Sequence, residues 1–205
     1  RLRDRVADLA GFLDRLAISA DITLVLHDWG GMIGMTYAAT YPERVRRIVL
    51  LNTAAFLPPG GKPLPLRLRL ARDPGFLSAG LILGCNLFAR SALRMASHRG
   101  LSRPVKRGLI APYDSWRNRI ATLKFVRDIP MNKKDPSYAT VREVDHSLHR
   151  LSDRPMLICW GMRDFVFDKD YLAEWQRRFP DAEVHRFENA GHYVLEDEPK
   201  AIVRR

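Results

Sequence analysis

The chain has 205 residues, 46% of them hydrophobic, which allows one domain with a sizeable core and excludes a disordered segment. Its net charge is +11, from 34 Lys and Arg against 23 Asp and Glu. The cations are scattered along helical stretches without an interleaved aromatic motif, so solvated helix faces account for them and no nucleic-acid partner is expected.

Arg1 opens in mid-pattern, without a Met or a leader, and reads as the start of a fragment. Val6, Leu9, Phe12, Leu13 and Leu16 recur at helical spacing and predict an amphipathic helix over residues 3–17. Residues 22–26, ITLVL, read as a buried strand. The strand runs into His27-Asp28-Trp29-Gly30-Gly31 and a helical pattern that proline stops near Tyr41-Pro42. Strand, polar turn residue, paired glycines and helix make the pattern of a nucleophile elbow. The turn would hold Asp28 above the carboxyl end of the strand. The glycines would let the helix start close against the sheet, and its N-terminus would offer N–H groups to developing negative charge. An Asp in this place can also be a simple N-cap, but capping asks for neither Trp29 nor two glycines.

Residues 45–52, VRRIVLLN, form a second strand, and short links between these elements imply right-handed crossovers and a parallel sheet. The alternation breaks at residues 57–64, LPPGGKPL, and the pattern is helical alone as far as Ser152. Ser102-Arg103-Pro104 is a helix start. Trp116, Ile120 and Leu123 share one face of a helix beginning near Asp114, with Val126 at its margin. Val141, Val144, Leu148 and Leu151 share the face of another. The longest apolar run, residues 76–89, is too short to span a bilayer, so no transmembrane segment is expected, while peripheral membrane contact stays open. The sheet resumes at residues 155–160, PMLICW, followed by Gly161-Met162-Arg163-Asp164, a helix over 170–179, a strand over 183–187, and Gly191-His192-Tyr193. The expected class is α/β: a partial, mostly parallel sheet with helices on both faces and a helical lid inserted between strands. Residues 1–56 and 153–205 would form the core and residues 57–152 a cap over the carboxyl edge, where ligands bind in such sheets.

Asp28, Asp164 and His192 each fall just after a predicted strand, in the chain order nucleophile, acid, histidine. Asp is ionised at neutral pH and attacks carbon without a base. His192 would then activate water against the covalent intermediate, with Asp164 orienting its ring. The backbone N–H of Trp29 is placed for an oxyanion and its indole N–H for a leaving anion. Asp168 is a nearby rival to Asp164. His27 reads as a packed, hydrogen-bonded histidine, because it points away if Asp28 faces the site. His98, His146, His149 and His185 show no ligand grouping, so no metal or cofactor is expected. Cys85 and Cys159 have neither metal nor redox spacing and suit a reduced cytoplasmic protein.

LVLHDWGGMIG, CWGMRDFVFD and ENAGHYVLEDEP resemble the α/β-hydrolase superfamily, in the haloalkane dehalogenase and epoxide hydrolase branch, whose nucleophile is an Asp in an H-D-W-G context. The resemblance runs along essentially the whole chain and implies the α/β-hydrolase fold. It also implies further strands before the elbow strand, with a loop supplying a second oxyanion donor. On that basis the chain alone is expected to be inactive and poorly stable. Epoxide hydrolases carry Gly two positions before the nucleophile, where this chain has Leu26, and use two lid tyrosines, for which Tyr113 and Tyr138 are available in unusual contexts. Dehalogenases that draw their acid from the earlier strand have Glu where this chain has Asn52, and Asn52 cannot serve, which points to Asp164. HDWGGMIG, LLNTAAF, APYDSWRNRIATLKFVRDIP and RPMLICWGMRDFVFD together resemble a dehalogenase-like subfamily, the β-lactone decarboxylases of bacterial olefinic-hydrocarbon biosynthesis. That resemblance implies attack of Asp28 on a 3,4-dialkyl β-lactone, release of an alkene and carbon dioxide, a small apolar long-chain substrate under the lid's apolar run, and neighbouring pathway enzymes as partners. Haloalkane dehalogenase or epoxide hydrolase activity is the alternative, and a non-catalytic module binding apolar ligands or lipid is the remote one.

Overall fold

Among the described residues four strands, β1 (Ile22–Asp28), β2 (Val45–Thr53), β3 (Met156–Gly161) and β4 (Glu183–Phe187), pair in chain order into one sheet, every pair parallel. The computed structural model describes residues 1–204. α1 (Leu2–Arg15) precedes β1; parallel neighbours need crossovers, and the chain supplies them with α2 (Trp29–Thr40) between β1 and β2 and α9 (Lys169–Arg178) between β3 and β4. Between β2 and β3 runs a helical insertion: α3 (Leu66–Arg72), α4 (Phe76–Leu83), α5 (Leu87–Met95), α6 (Arg103–Ile110), α7 (Ile120–Arg127) and α8 (Tyr138–Ser147), joined by 3₁₀ turns. Two short helices, α10 (Val194–Asp197) and α11 (Pro199–Val203), follow β4.

The central strands β2 and β3 read as continuous apolar runs because both their faces are covered. Ile48, Leu50, Ile158 and Trp160 pack with Met35, Tyr37 and Ala38 of α2 and Trp175 of α9 on one face. Leu51 and Cys159 point the other way, against Ala190, Val194 of α10 and Ile202 of α11. β1 lies at the edge of the described sheet, with Leu24 and Leu26 buried on the first face and Val25 60% exposed on the second. Helices therefore cover both faces, as the pattern predicted, but the second face only over part of its width.

Two apolar faces differ from their sequence reading. In α1, Leu2 and Leu13 are buried and Val6 and Leu9 pack against the core, but Phe12 and Leu16 are exposed. Phe12 sits one residue, about 100° of turn, from Leu13, and Leu16 falls outside the helix as its C-cap. In the insertion, no single helix starts near Asp114. Asp114 and Ser115 accept hydrogen bonds from Asn118, and the Arg119 guanidinium takes the carbonyls of Tyr113 and Asp114, so the chain turns before α7 begins at Ile120. Leu123 and Val126 are buried as a result, while Trp116 and Ile120 face outward.

The joint between insertion and core is Asp197, 3% exposed. Its carboxylate accepts hydrogen bonds from Ser97 Oγ at 2.6 Å, His98 N at 2.9 Å, Arg99 N at 3.0 Å and Gly191 N at 2.7 Å. Burial alone would push the Asp197 carboxyl up, but these donors outweigh it and hold it below the usual carboxylate range.

Candidate active site

Asp28 closes β1 with φ 50° and ψ −125°, a conformation that costs a non-glycine residue roughly 1–3 kcal/mol. The surroundings hold it there. Thr53 Oγ1 donates to the Asp28 carbonyl, and the β1–β2 register slips between His27 and Asp28 so that Asp28 stands opposite Thr53. α2 then starts against the same threonine: a Cβ on Gly31 would lie 1.8 Å from Thr53 Oγ1, and one on Gly34 would lie 2.3 Å from Leu26 Cδ2. Of the paired glycines, Gly31 alone is required by close approach, since nothing stands within 4 Å of a Cβ on Gly30. Trp29 is the first residue of α2, where a backbone N–H has no acceptor inside the helix, and its ring meets Phe125 of α7 edge-on at 5.3 Å.

Asp164 and His192 come into direct contact. Nδ1 of His192 lies 2.8 Å from Asp164 Oδ2, while the other carboxylate oxygen accepts from Val166 N at 2.7 Å. A carboxylate only accepts, so Nδ1 carries the hydrogen and Nε2 is turned free. Both ends of the pair are braced. Asn52, at φ 34°, bridges the strand ends by donating Nδ2 to the Gly161 carbonyl at 3.0 Å and accepting Gly161 N at 2.7 Å. On the histidine side, Tyr193 N donates to the Ala96 carbonyl at 2.8 Å. Asp168, the rival acid, is instead the N-cap of α9 and pairs with Lys62.

The electrostatics centre on His192, which is 8% exposed. Burial pushes its pKa down, but the charge and hydrogen bond of Asp164 and the charge of Asp28 raise it above the ordinary histidine value. The Asp28 charge thus adds to that of Asp164 in favouring imidazolium. His27 is hydrogen-bonded, as its sequence context suggested, but it does not point away from the pair: Nε2 donates to the His192 carbonyl at 2.8 Å. Its ring is also 4.6 Å from that of His192, and burial and the neighbouring His192 charge both lower its pKa.

Other members of the cluster escaped the sequence reading. Phe167 stacks on His192 at 5.9 Å. Burial raises the Tyr193 phenol, and the charge of Asp28 and the neighbouring Tyr113 raise it further. Tyr193 had a signal, its adjacency to His192. Phe125 had none, because α7 reaches Trp29 only through the tertiary fold. Of the two lid tyrosines, Tyr113 acts electrostatically on the Tyr193 phenol, whereas Tyr138 opens α8, which packs on α2. Among the described residues no three His, Cys, Asp or Glu side chains group as a metal site.

The alpha/beta hydrolase fold family model matches residues 4–199. The cis-3-alkyl-4-alkyloxetan-2-one decarboxylase of Shewanella oneidensis is 46% identical over 203 residues, covering 98% of this chain and 64% of that protein. The enzyme of the same name from Xanthomonas campestris pv. campestris is 41% identical, with 98% of this chain and 67% of that protein covered. The chain thus spans about two thirds of the length of these relatives. Among solved structures, the haloalkane dehalogenase DbeA from Bradyrhizobium elkani superposes with a TM-score of 0.85 at 25% identity, over 100% of this chain and 71% of that one.

Proposed function

The chain belongs to the alpha/beta hydrolase fold family, and from that premise we propose that it is the catalytic part of an aspartate-nucleophile enzyme that decarboxylates 3,4-dialkyl β-lactones to alkenes. The observation that carries the chemistry is the strained Asp28 elbow set beside the Asp164–His192 pair. The substrate class follows the two decarboxylases, which are 46% and 41% identical along nearly the whole chain. The helical insertion between β2 and β3 acts as the cap, and Phe125 brings its inner side to Trp29.

In the mechanism a carboxylate oxygen of Asp28 attacks C4 of the lactone. The C4–O1 bond breaks, leaving an ester between Asp28 and C4 and a free carboxylate on C3. The electrons of the bond from C3 to that carboxylate then form the C3–C4 double bond and expel Asp28 as carboxylate, releasing alkene and carbon dioxide. No water enters and no proton is needed. His192 is held toward imidazolium by Asp164 and Asp28, so it stabilises the anions that form and leave, together with the Trp29 N–H. A dehalogenase shares the first covalent step but resolves the ester with water, and the 0.85 superposition on a haloalkane dehalogenase favours it as the second reading.

Turnover of a cis-3,4-dialkyl β-lactone in H₂¹⁸O by the complete protein separates the two. Alkene and carbon dioxide with an unlabelled Asp28 carboxylate are expected. Label entering Asp28 while a haloalkane is hydrolysed and the lactone is left untouched would replace this reading with the dehalogenase one.

A further inference from the structure

We propose that the outer face of the helical insertion is a docking surface for an anionic lipid bilayer. Charge is partitioned sharply along the chain. Residues 66–127 hold 13 Lys and Arg against two acids, Asp73 and Asp114, a net of +11, while the remaining residues carry 21 of each sign. The whole net charge of the protein therefore belongs to α3–α7. Some of these cations are turned inward: Arg119 braces the carbonyls of Leu83 and Gly84, Arg127 those of Asp73 and Gly75, and Arg72 pairs with Asp135. Arg67, Arg69, Arg90, Arg94, Lys106 and Arg107 are exposed.

Apolar side chains of α3–α5 stand in water as well. On α4, Phe76 is 98% exposed and Leu77 77%, with Leu81 beside them, while Ile82 and Leu83 on the opposite side pack with Leu123 of α7. Leu66 and Leu70 of α3 are exposed as one stripe at i, i+4, and Leu87 opens α5. The run over residues 76–89, which the sequence suggested for substrate chains or lid core, is thus split, with half of it facing out. Between α5 and α6 lies a cavity of about 520 Å³ whose wall combines Leu87 and Leu93 with Arg90, Arg94 and Lys106.

A bilayer is the occupant that satisfies both components at once. Cations meet anionic headgroups while the apolar tips enter the acyl boundary below them. Nucleic acid would pair the cations and leave Phe76 and Leu77 in water. Neither helix spans by itself: α4 and α5 have 8 and 9 residues and bend by 69° at their junction, so each is about 12–14 Å long against a hydrocarbon core of about 30 Å. No single helix among the described residues is long and apolar enough to cross. The insertion lies on the membrane. Its inner side, through Phe125, touches Trp29, so an apolar substrate dissolved in the bilayer would meet the cap directly. That last step alone rests on the proposed reaction.

Co-sedimentation of the complete protein with vesicles tests the surface, using phosphatidylcholine alone and phosphatidylcholine with about 30% phosphatidylglycerol, at about 50 and 300 mM salt. Binding is expected to the anionic vesicles and to weaken at the higher salt. Arg90→Gln, Arg94→Gln and Lys106→Gln together should weaken it roughly a hundredfold, about fivefold per cation. Phe76→Ser with Leu77→Ser should weaken it at least about tenfold, with thermal unfolding and turnover of detergent-dispersed lactone unchanged in both variants. Wild-type protein that ignores anionic vesicles, variants that bind like wild type, or salt-sensitive binding to duplex DNA without vesicle binding would each overturn the proposal. Vesicle binding lost in the variants of a protein that turns over no lactone would support the docking surface and strike the proposed reaction instead.

Discussion

The sheet core and the helical insertion solve the burial problem in opposite ways. The core is charge-balanced, and its central strands are covered on both faces, so its apolar residues mark the interior. Within the insertion α3–α7 carry the entire net charge, and the apolar residues mark two surfaces, one packed on Leu123 and one exposed through Phe76 and Leu77. A hydrophobic pattern in the core therefore reports packing, whereas the same pattern in the insertion reports packing and a partner together.

The largest expected effect breaks the core's chemistry while leaving its packing intact. Asp28→Gly should lower lactone turnover at least about 10⁴-fold, since on the proposed mechanism it removes the covalent step. The same change should raise stability by about 1 kcal/mol, because glycine adopts φ 50° without strain. Paired steady-state kinetics and urea unfolding check both signs. A destabilised Asp28→Gly would show that the elbow is not strained.

Next in size is the joint between the two regions. Asp197→Ala leaves four donors, Ser97 Oγ and the N–H groups of His98, Arg99 and Gly191, without their acceptor. A loss of about 3 kcal/mol in urea unfolding is expected. The substitution also frees the turn carrying His192, so turnover should fall beyond what lost stability explains. Gly31→Ala follows at about 1–3 kcal/mol, because its Cβ would sit 1.8 Å from Thr53 Oγ1, whereas Gly30→Ala meets nothing and should be neutral. Within the insertion, Leu123→Ala should cost about 2–3 kcal/mol and Leu77→Ser less than about 0.5 kcal/mol.

The same contrast explains what could be read from the sequence. Strand bounds came through within two residues because the apolar runs of β1 to β3 end at polar or glycine residues, and the stretch over 183–187 matches β4 residue for residue. The contact of Asp164 with His192 was legible for a related reason: in a parallel sheet, residues just past successive strands must gather at one edge. The insertion hid more. Whether Trp116 and Ile120 face in or out depends on where α7 begins, and that is settled by Arg119 and Asn118 bonding to loop atoms rather than by periodicity. Asp197 passed as one acid in an acidic turn because its four donors lie mostly about 100 positions away. Phe125 meets Trp29 through tertiary packing alone.

The smallest and most graded effect is the pH dependence of stability, where two groups act with opposite sign. His192 has a raised pKa in the folded protein, so its stabilising contribution is complete below the unfolded value of about 6.5 and is lost as pH rises through the folded value. Asp197 has a lowered pKa, so its contribution is complete above the unfolded value of about 3.9 and is lost as pH falls through the folded one. Both contributions are whole between those unfolded values, and the urea midpoint should be highest in that mildly acidic window. His192→Gln should flatten the alkaline side of the profile without touching the acid side, and Asp197→Asn the reverse. The kinetic profile carries the same sign. Decarboxylation with His192 as imidazolium should persist below its pKa and decline above it, whereas hydrolysis, which needs the neutral ring as base, would rise with pH through that same value. A rate that climbs as His192 loses its proton would therefore move the assignment from decarboxylation to hydrolysis, on the same three residues.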